Sequence, residues 1–149
     1  MVEKNIDRLF IRLRIEYILL WILSITLVVF YESGLLSEGI YAGDVYMDYI
    51  LQTVGILLVI CIIPFSLKLF NISLINRIKH LSFSEALKSY EKWSEIRIGF
   101  LFVPAIINLS IYYLTLNVTG ALCACMALVA SLFCIPNKTK ILKELDIVK

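Results

Sequence analysis

Few residues in this sequence have the type and spacing that reaction chemistry needs. There is one histidine, His80, beside Lys79 and Arg77. A single imidazole cannot build a multi-histidine metal site, and no H-E-x-x-H pattern, glycine-rich phosphate loop or G-x-S-x-G elbow occurs. Metal, nucleotide and acyl-transfer chemistry have no residues to act through. The expectation is a chain that is not an enzyme and carries no cofactor or metal.

Cysteine is the next candidate. Cys61, Cys123, Cys125 and Cys134 all fall in apolar runs. Cys123 and Cys125 would suit thiol–disulfide exchange, but side chains at i and i+2 point about 200° apart on a helix of 3.6 residues per turn. They cannot close a disulfide there, and C-x-x-C is absent. Small apolar packing is the expected role.

Polar residues at helical spacing are the more suggestive group. Asp44, Asp48, Gln52 and Gly55 descend one face of an apolar run, and Pro104, Asn108, Tyr112 and Thr115 descend another. Polar groups within an apolar run normally face protein or water and are candidates for function. Asp48, Gln52, Asn108, Tyr112 and Thr115 are therefore the candidate ligand site. Six of the eight tyrosines, Tyr31, Tyr41, Tyr46, Tyr49, Tyr112 and Tyr113, fall near the same end, with Glu32, Glu38, Asp44 and Asp48 and no Lys or Arg. The chemistry such a mouth offers is attraction of a cation or amine through charge and ring faces. The plainer reading is an aromatic belt with acidic loops.

A third pattern concerns packing. Gly120, Ala124, Ala127 and Ser131 form a small-residue stripe, overlapped by Cys123, Ala127, Ala130 and Cys134. Small-xxx-small spacing lets helix backbones approach closely.

The elements that must hold these residues follow from composition. The chain has 149 residues, 60% hydrophobic and 17% charged, with a formal net charge of +2. Its mean hydropathy is +0.89. One small globule cannot bury that much apolar surface, so a soluble fold is excluded and an integral membrane protein is expected. Four apolar runs, 15–31, 45–67, 98–116 and 118–135, approach the ~20 residues needed to cross a bilayer as a helix. The last is bounded by Asn117 and Pro136. The fold class expected is all-α: one transmembrane domain over 1–149, a four-helix bundle with a connection at 68–97.

All 14 Lys and Arg lie before the first run, in 68–97, or after the fourth. The positive-inside rule then puts both termini and 68–97 on the cytoplasmic side of the cell (inner) membrane. Within 68–97, Ser82-x-x-Glu85 is a capping-box pattern. Phe83, Ala86, Leu87, Tyr90 and Trp93 then share a helix face opposite Lys88, Glu91, Lys92 and Glu95. This predicts a cytoplasmic amphipathic helix at the bilayer surface, feeding the third span. Ile6, Leu9, Phe10, Leu13 and Tyr17 predict a similar face extending the first helix, with Arg12 near Glu16.

The basic segments are expected to meet anionic lipid headgroups, not nucleic acid. The overall expectation is a multi-pass protein working through protein or lipid contacts, as an accessory subunit, scaffold or immunity-type factor, with a membrane-protein partner or a second copy. The alternative is a small cation or solute transporter or channel subunit acting as an oligomer. Whether the two polar stripes enclose a wet cavity separates them.

Overall fold

A computed structural model of the chain describes residues 2–76 and 80–146. Of the basic residues used above, Arg77, Lys79 and Lys149 lie outside the described residues. Every regular element among those described is an α-helix. They run α1 (Val2–Glu32), α2 (Val45–Asn76), α3 (Phe83–Thr115), α4 (Val118–Leu132) and α5 (Lys138–Asp146). Three of them, α1, α2 and α3, are long and apolar enough to cross a membrane, and α4 is a shorter apolar helix.

The helices overrun the apolar stretches that define them. α2 continues to Asn76, and α3 starts at Phe83, so the 68–97 stretch is mostly helical. The amphipathic segment is not a separate helix; it is the first part of α3, in line with the apolar part. At 1.5 Å per residue the 33-residue α3 is about 50 Å long. Nothing interrupts it, because no glycine or proline lies between Phe83 and Arg97. Ser82 is its N-cap, but the reciprocal capping box is not formed. Its hydroxyl donates instead to the Glu85 carboxylate at 2.9 Å.

α4 has 15 residues, about 22 Å, and stops short of the expected Ile135. Pro136 is the reason. It has no amide to donate and disfavours helical backbone in the residue before it. The amides of Phe133, Cys134 and Ile135 turn back to the carbonyls of Ala130, Ser131 and Leu132 at 3.0–3.3 Å, closing the end in a tightened turn.

α3 is the hub, packing against α1, α2 and α4. Half of its most apolar stretch is buried, against 17% for α1 and α2, whose remaining surfaces are apolar and open. Three tiers join α1 to α3. At one end Tyr31 and Tyr113 stack with ring centroids 4.5 Å apart. Midway, Tyr17, Trp21 and Phe102 meet edge to face or tilted at 6.0–6.4 Å. At the other end Ile6, Leu9 and Leu13 pack with Phe70 of α2, Ala86 and Tyr90 of α3, and Ile141 of α5.

That last cluster shows what covers the two amphipathic faces: they bury each other, with Phe83, Leu87 and Trp93 packed at the edge. An apolar stripe removed from water gains about 25 cal/mol per Å² whichever surface covers it, and here a protein surface does. α5 closes the cluster, held by Tyr90 Oη donating to Glu144 at 2.6 Å and by a Lys138–Asp7 ion pair at 2.6 Å.

The expected packing stripe on α4 is buried along its whole length: Gly120, Ala124, Ala127 and Ser131, with Cys123 beside them. Ala127 is 0% exposed, whereas Val129 is 53% exposed. Ala127→Leu forces three more heavy atoms into this contact and is expected to cost about 1–3 kcal/mol. In thermal melts in detergent it should unfold clearly below Val129→Leu, which leaves the buried face unchanged. Equal melting temperatures would mean the α3–α4 contact is not close-packed.

Candidate functional site

The two polar stripes do face each other. Asn108 of α3 lies opposite Gly55 of α2, and its side chain is 1% exposed. Its Nδ2 donates to the Gly55 carbonyl at 3.2 Å and to the Pro104 carbonyl, one turn back, at 2.9 Å. Gly55 permits this. A Cβ at that position would run into Asn108 Oδ1. On the other flank of α3, a Cβ on Gly120 would sit 2.8 Å from the Tyr112 amide nitrogen and 3.0 Å from the Asn108 carbonyl oxygen. One level of α3 is thus approached from both sides by helices bearing glycine.

A second polar group lies nearer the acidic end. Asp48 accepts from Gln52 Nε2 at 2.7 Å on its own helix. Its other oxygen accepts from Asn117 Nδ2, 69 residues away, at 3.2 Å. Asn117 is also the N-cap of α4: its Oδ1 accepts from the amide and the hydroxyl of Thr119, both at 3.1 Å. Thr115 is buried and its hydroxyl donates to the Ile111 carbonyl at 2.8 Å. That hydroxyl oxygen also accepts from the Asn117 amide at 3.4 Å.

Of the five candidate ligand residues, Asp48 and Thr115 thus bond to Asn117, with Gln52 joined through Asp48, while Asn108 forms a separate contact with Gly55. Tyr112 joins neither group through its side chain. Its ring packs edge-on to Tyr113 at 5.0 Å, and its backbone meets Gly120.

The acidic mouth has few free carboxylates. Asp44 accepts from the Tyr46 and Met47 amides at 3.1 and 3.3 Å, capping the start of α2. Glu32 accepts from Tyr113 Oη at 3.0 Å. With Asp48 bonded on both oxygens, three of the four acids hold helices in place. The 33–44 connection is tied down as well. Gly39, in the left-handed region at φ 64°, turns its amide onto the Tyr113 carbonyl at 2.8 Å. Tyr41 donates to the Leu114 carbonyl at 3.1 Å, so the loop satisfies the end of α3.

At the basic end Arg12 is the centre of a network. It meets Glu91 at 2.7 Å, Glu95 at 3.5 Å and the anticipated Glu16 at 3.6 Å. Arg97 is buried, with its guanidinium carbon 3.8 Å from the centroid of the Phe70 ring, and its backbone carbonyl accepts from Ser66 Oγ at 3.2 Å. The cysteines are all free; Cys123 is buried and Cys125 exposed, as their i, i+2 spacing implies. No group of three or more potential metal ligands occurs among the described residues.

Sequence reasoning missed Asn117 and the burial of Arg97. Asn117-x-Thr119 ahead of an apolar helix is an N-cap signal, but nothing local shows that Asp48 is its partner.

The Gly55–Asn108 contact makes a quantitative prediction. Gly55→Ala should destabilise the protein by about 1–3 kcal/mol through the forced shift of Asn108. In an Asn108→Ala background the same change should cost clearly less, giving a coupling of about 0.5–3 kcal/mol in chemical denaturation. Additive costs would mean the two residues are not in contact.

No protein-family model, curated protein or solved structure matches this chain.

Proposed function

We propose that this chain is a multi-pass protein of the cell (inner) membrane that acts through contacts with protein and lipid and not by catalysis, as an accessory subunit, scaffold or immunity-type factor. The observation that carries this reading is that the polar stripes are bonded within the protein, one to the other through Asn108 and to the start of α4 through Asp48. Asn108 meets the Gly55 carbonyl and Asp48 meets Asn117, and the glycines keep the α2–α3–α4 contact tight. A translocation path would instead hold such groups apart around water. Three of the four mouth carboxylates are occupied by helix caps and ties, which leaves little for a mobile cation.

In this reading α4 is the fourth crossing. Its 15 residues are completed by the apolar turn Phe133–Ile135, and the bilayer thins or the helix ends snorkel to meet it. Lys and Arg gather at the end where the start of α1, the end of α2, the start of α3 and α5 come together, and that end faces the cytoplasm by the positive-inside rule. Anionic headgroups meet this end, each nearby basic residue contributing about 1 kcal/mol.

Two experiments test the proposal. Single cysteines at Ser37 and Thr139, both exposed, report sidedness in a background with the native cysteines replaced. An impermeant maleimide should label Ser37→Cys and not Thr139→Cys in intact cells; the reverse pattern would overturn the orientation. Separately, proteoliposomes should show no uptake of monovalent cations or organic amines above protein-free vesicles. Saturable uptake abolished by Asp48→Asn would establish the transporter reading instead.

A further inference from the structure

Beside the cluster where α1 and α3 pack through Leu9 and Ala86, the two helices flank an open groove of about 680 Å³. That lies within the ~300–1,000 Å³ typical of sites that enclose a ligand. Leu9, Phe83 and Leu87 supply its apolar surface, and Arg8, Arg12 and Lys88 its cations. Arg12 is engaged by Glu91. Arg8 and Lys88 are exposed, and neither has an ion-pair partner among the described residues. The groove is therefore apolar inside with uncompensated positive charge on both walls, one cation from each helix.

Depth narrows the occupant. α1 is continuous through this region, and its apolar run begins at Ile15. Arg8 is seven residues earlier, about 10 Å further along the axis at 1.5 Å per residue. The headgroup layer on each side is only about 5–8 Å thick. The groove thus runs from the headgroup layer at Arg12 into water beyond Arg8, and a lipid acyl chain would have to leave the bilayer to fill it. From Asn5 to Arg12 the wall is about two helical turns long, the length that apolar side chains at i, i+4 and i+7 on an opposing helix cover.

We propose that this groove is the docking site for a short, acidic amphipathic helix of a partner protein. Its apolar side chains seat against Leu9, Phe83 and Leu87, and its carboxylates reach Arg8 and Lys88. The proposal rests on the contact-based reading above and gives that reading a surface and a partner chemistry. The cations set partner choice and encounter rate, and the apolar floor supplies most of the binding energy.

The test uses the full chain in nanodiscs of zwitterionic lipid and two synthetic helical peptides with the same leucines, one flanked by Glu and one by Lys. Fluorescence anisotropy should show the Glu peptide binding and the Lys peptide not. Arg8→Glu with Lys88→Glu should weaken the Glu peptide about tenfold or more and bring the Lys peptide on. Melting curves matching the parent confirm that this variant is folded. Leu87→Gln, checked in the same way, should weaken both peptide–protein pairings.

Equal binding of the two peptides, no binding of either, or a Glu-peptide affinity unmoved by the charge reversal would each overturn the proposal. So would anionic phospholipid that co-purifies with the parent, blocks the peptide and is lost in the variant, which would make this a lipid site. A doubled particle mass that collapses in the variant would assign the groove to a second copy. The flux assay fails or succeeds independently, so a chain that binds the Glu peptide yet transports cations would sink the contact-based reading and leave the groove standing.

Discussion

The structure depends on how closely two helices, α2 and α4, can approach one level of α3. Around Asn108 and Tyr112, α3 meets Gly55 of α2 and Gly120 of α4; a methyl group at Gly55 would collide with the Asn108 side chain, and one at Gly120 with the α3 backbone. Van der Waals packing at such contacts, with hydrogen bonds across them, is what associates helices in apolar surroundings, because lipid offers no hydrophobic drive between them. Asn108 adds a directional element. Its amide is buried, and leaving it without a partner would be costly, so its bond to the Gly55 carbonyl sets the position of α2 along α3. The buried small-residue face of α4 continues the same close contact on the other side.

The two ends of the molecule are built by different physics. At the acidic end, hydrogen bonds hold short connections in place: Asp44 caps α2, Asn117 caps α4 while binding Asp48, and the loop amides of Gly39 and Tyr41 close α3. At the basic end, the packing resembles that of a water-soluble protein. Amphipathic stretches of α1 and α3 bury Ile6, Leu9, Leu13, Ala86 and Tyr90 with Ile141, and Arg12 links the helices through Glu91 and Glu95 on the outside. The first end is closed and the second exposes a groove, so the contact-based reading finds its available surface at the basic end.

Much of this was legible in the sequence, for identifiable reasons. Helical periodicity placed Ile6, Leu9, Leu13 and Tyr17 on one face and Ala86 and Tyr90 on another, and all six are buried. The small-residue spacing on α4 and the lone Asn108 in an apolar run were equally direct signals, since each has one inexpensive solution: burial against another helix. What the sequence could not show was which faces meet. An amphipathic face is indifferent to whether lipid or protein covers it, and here the faces at the starts of α1 and α3 cover each other. The Asp48–Asn117 bond spans 69 residues and leaves no local trace. Arg97 reads as one more basic residue at a span boundary, and only the position of Phe70 explains its burial. Helix ends were legible to within a turn where a breaker marks them, as at Pro136, and not where a polar helix simply continues, as in α2 beyond Leu67.

The central claim is that the polar residues facing each other on α2 and α3 form a dry, bonded contact. Hydrogen–deuterium exchange by mass spectrometry on the full chain in nanodiscs tests it most directly. Amides in stretches 50–60 and 104–114 should be among the slowest to exchange in the protein, as slow as those of the buried face of α4. Rapid exchange confined to the Gly55 and Asn108 faces, with the rest of both helices protected, would reveal a water-filled path and contradict the account.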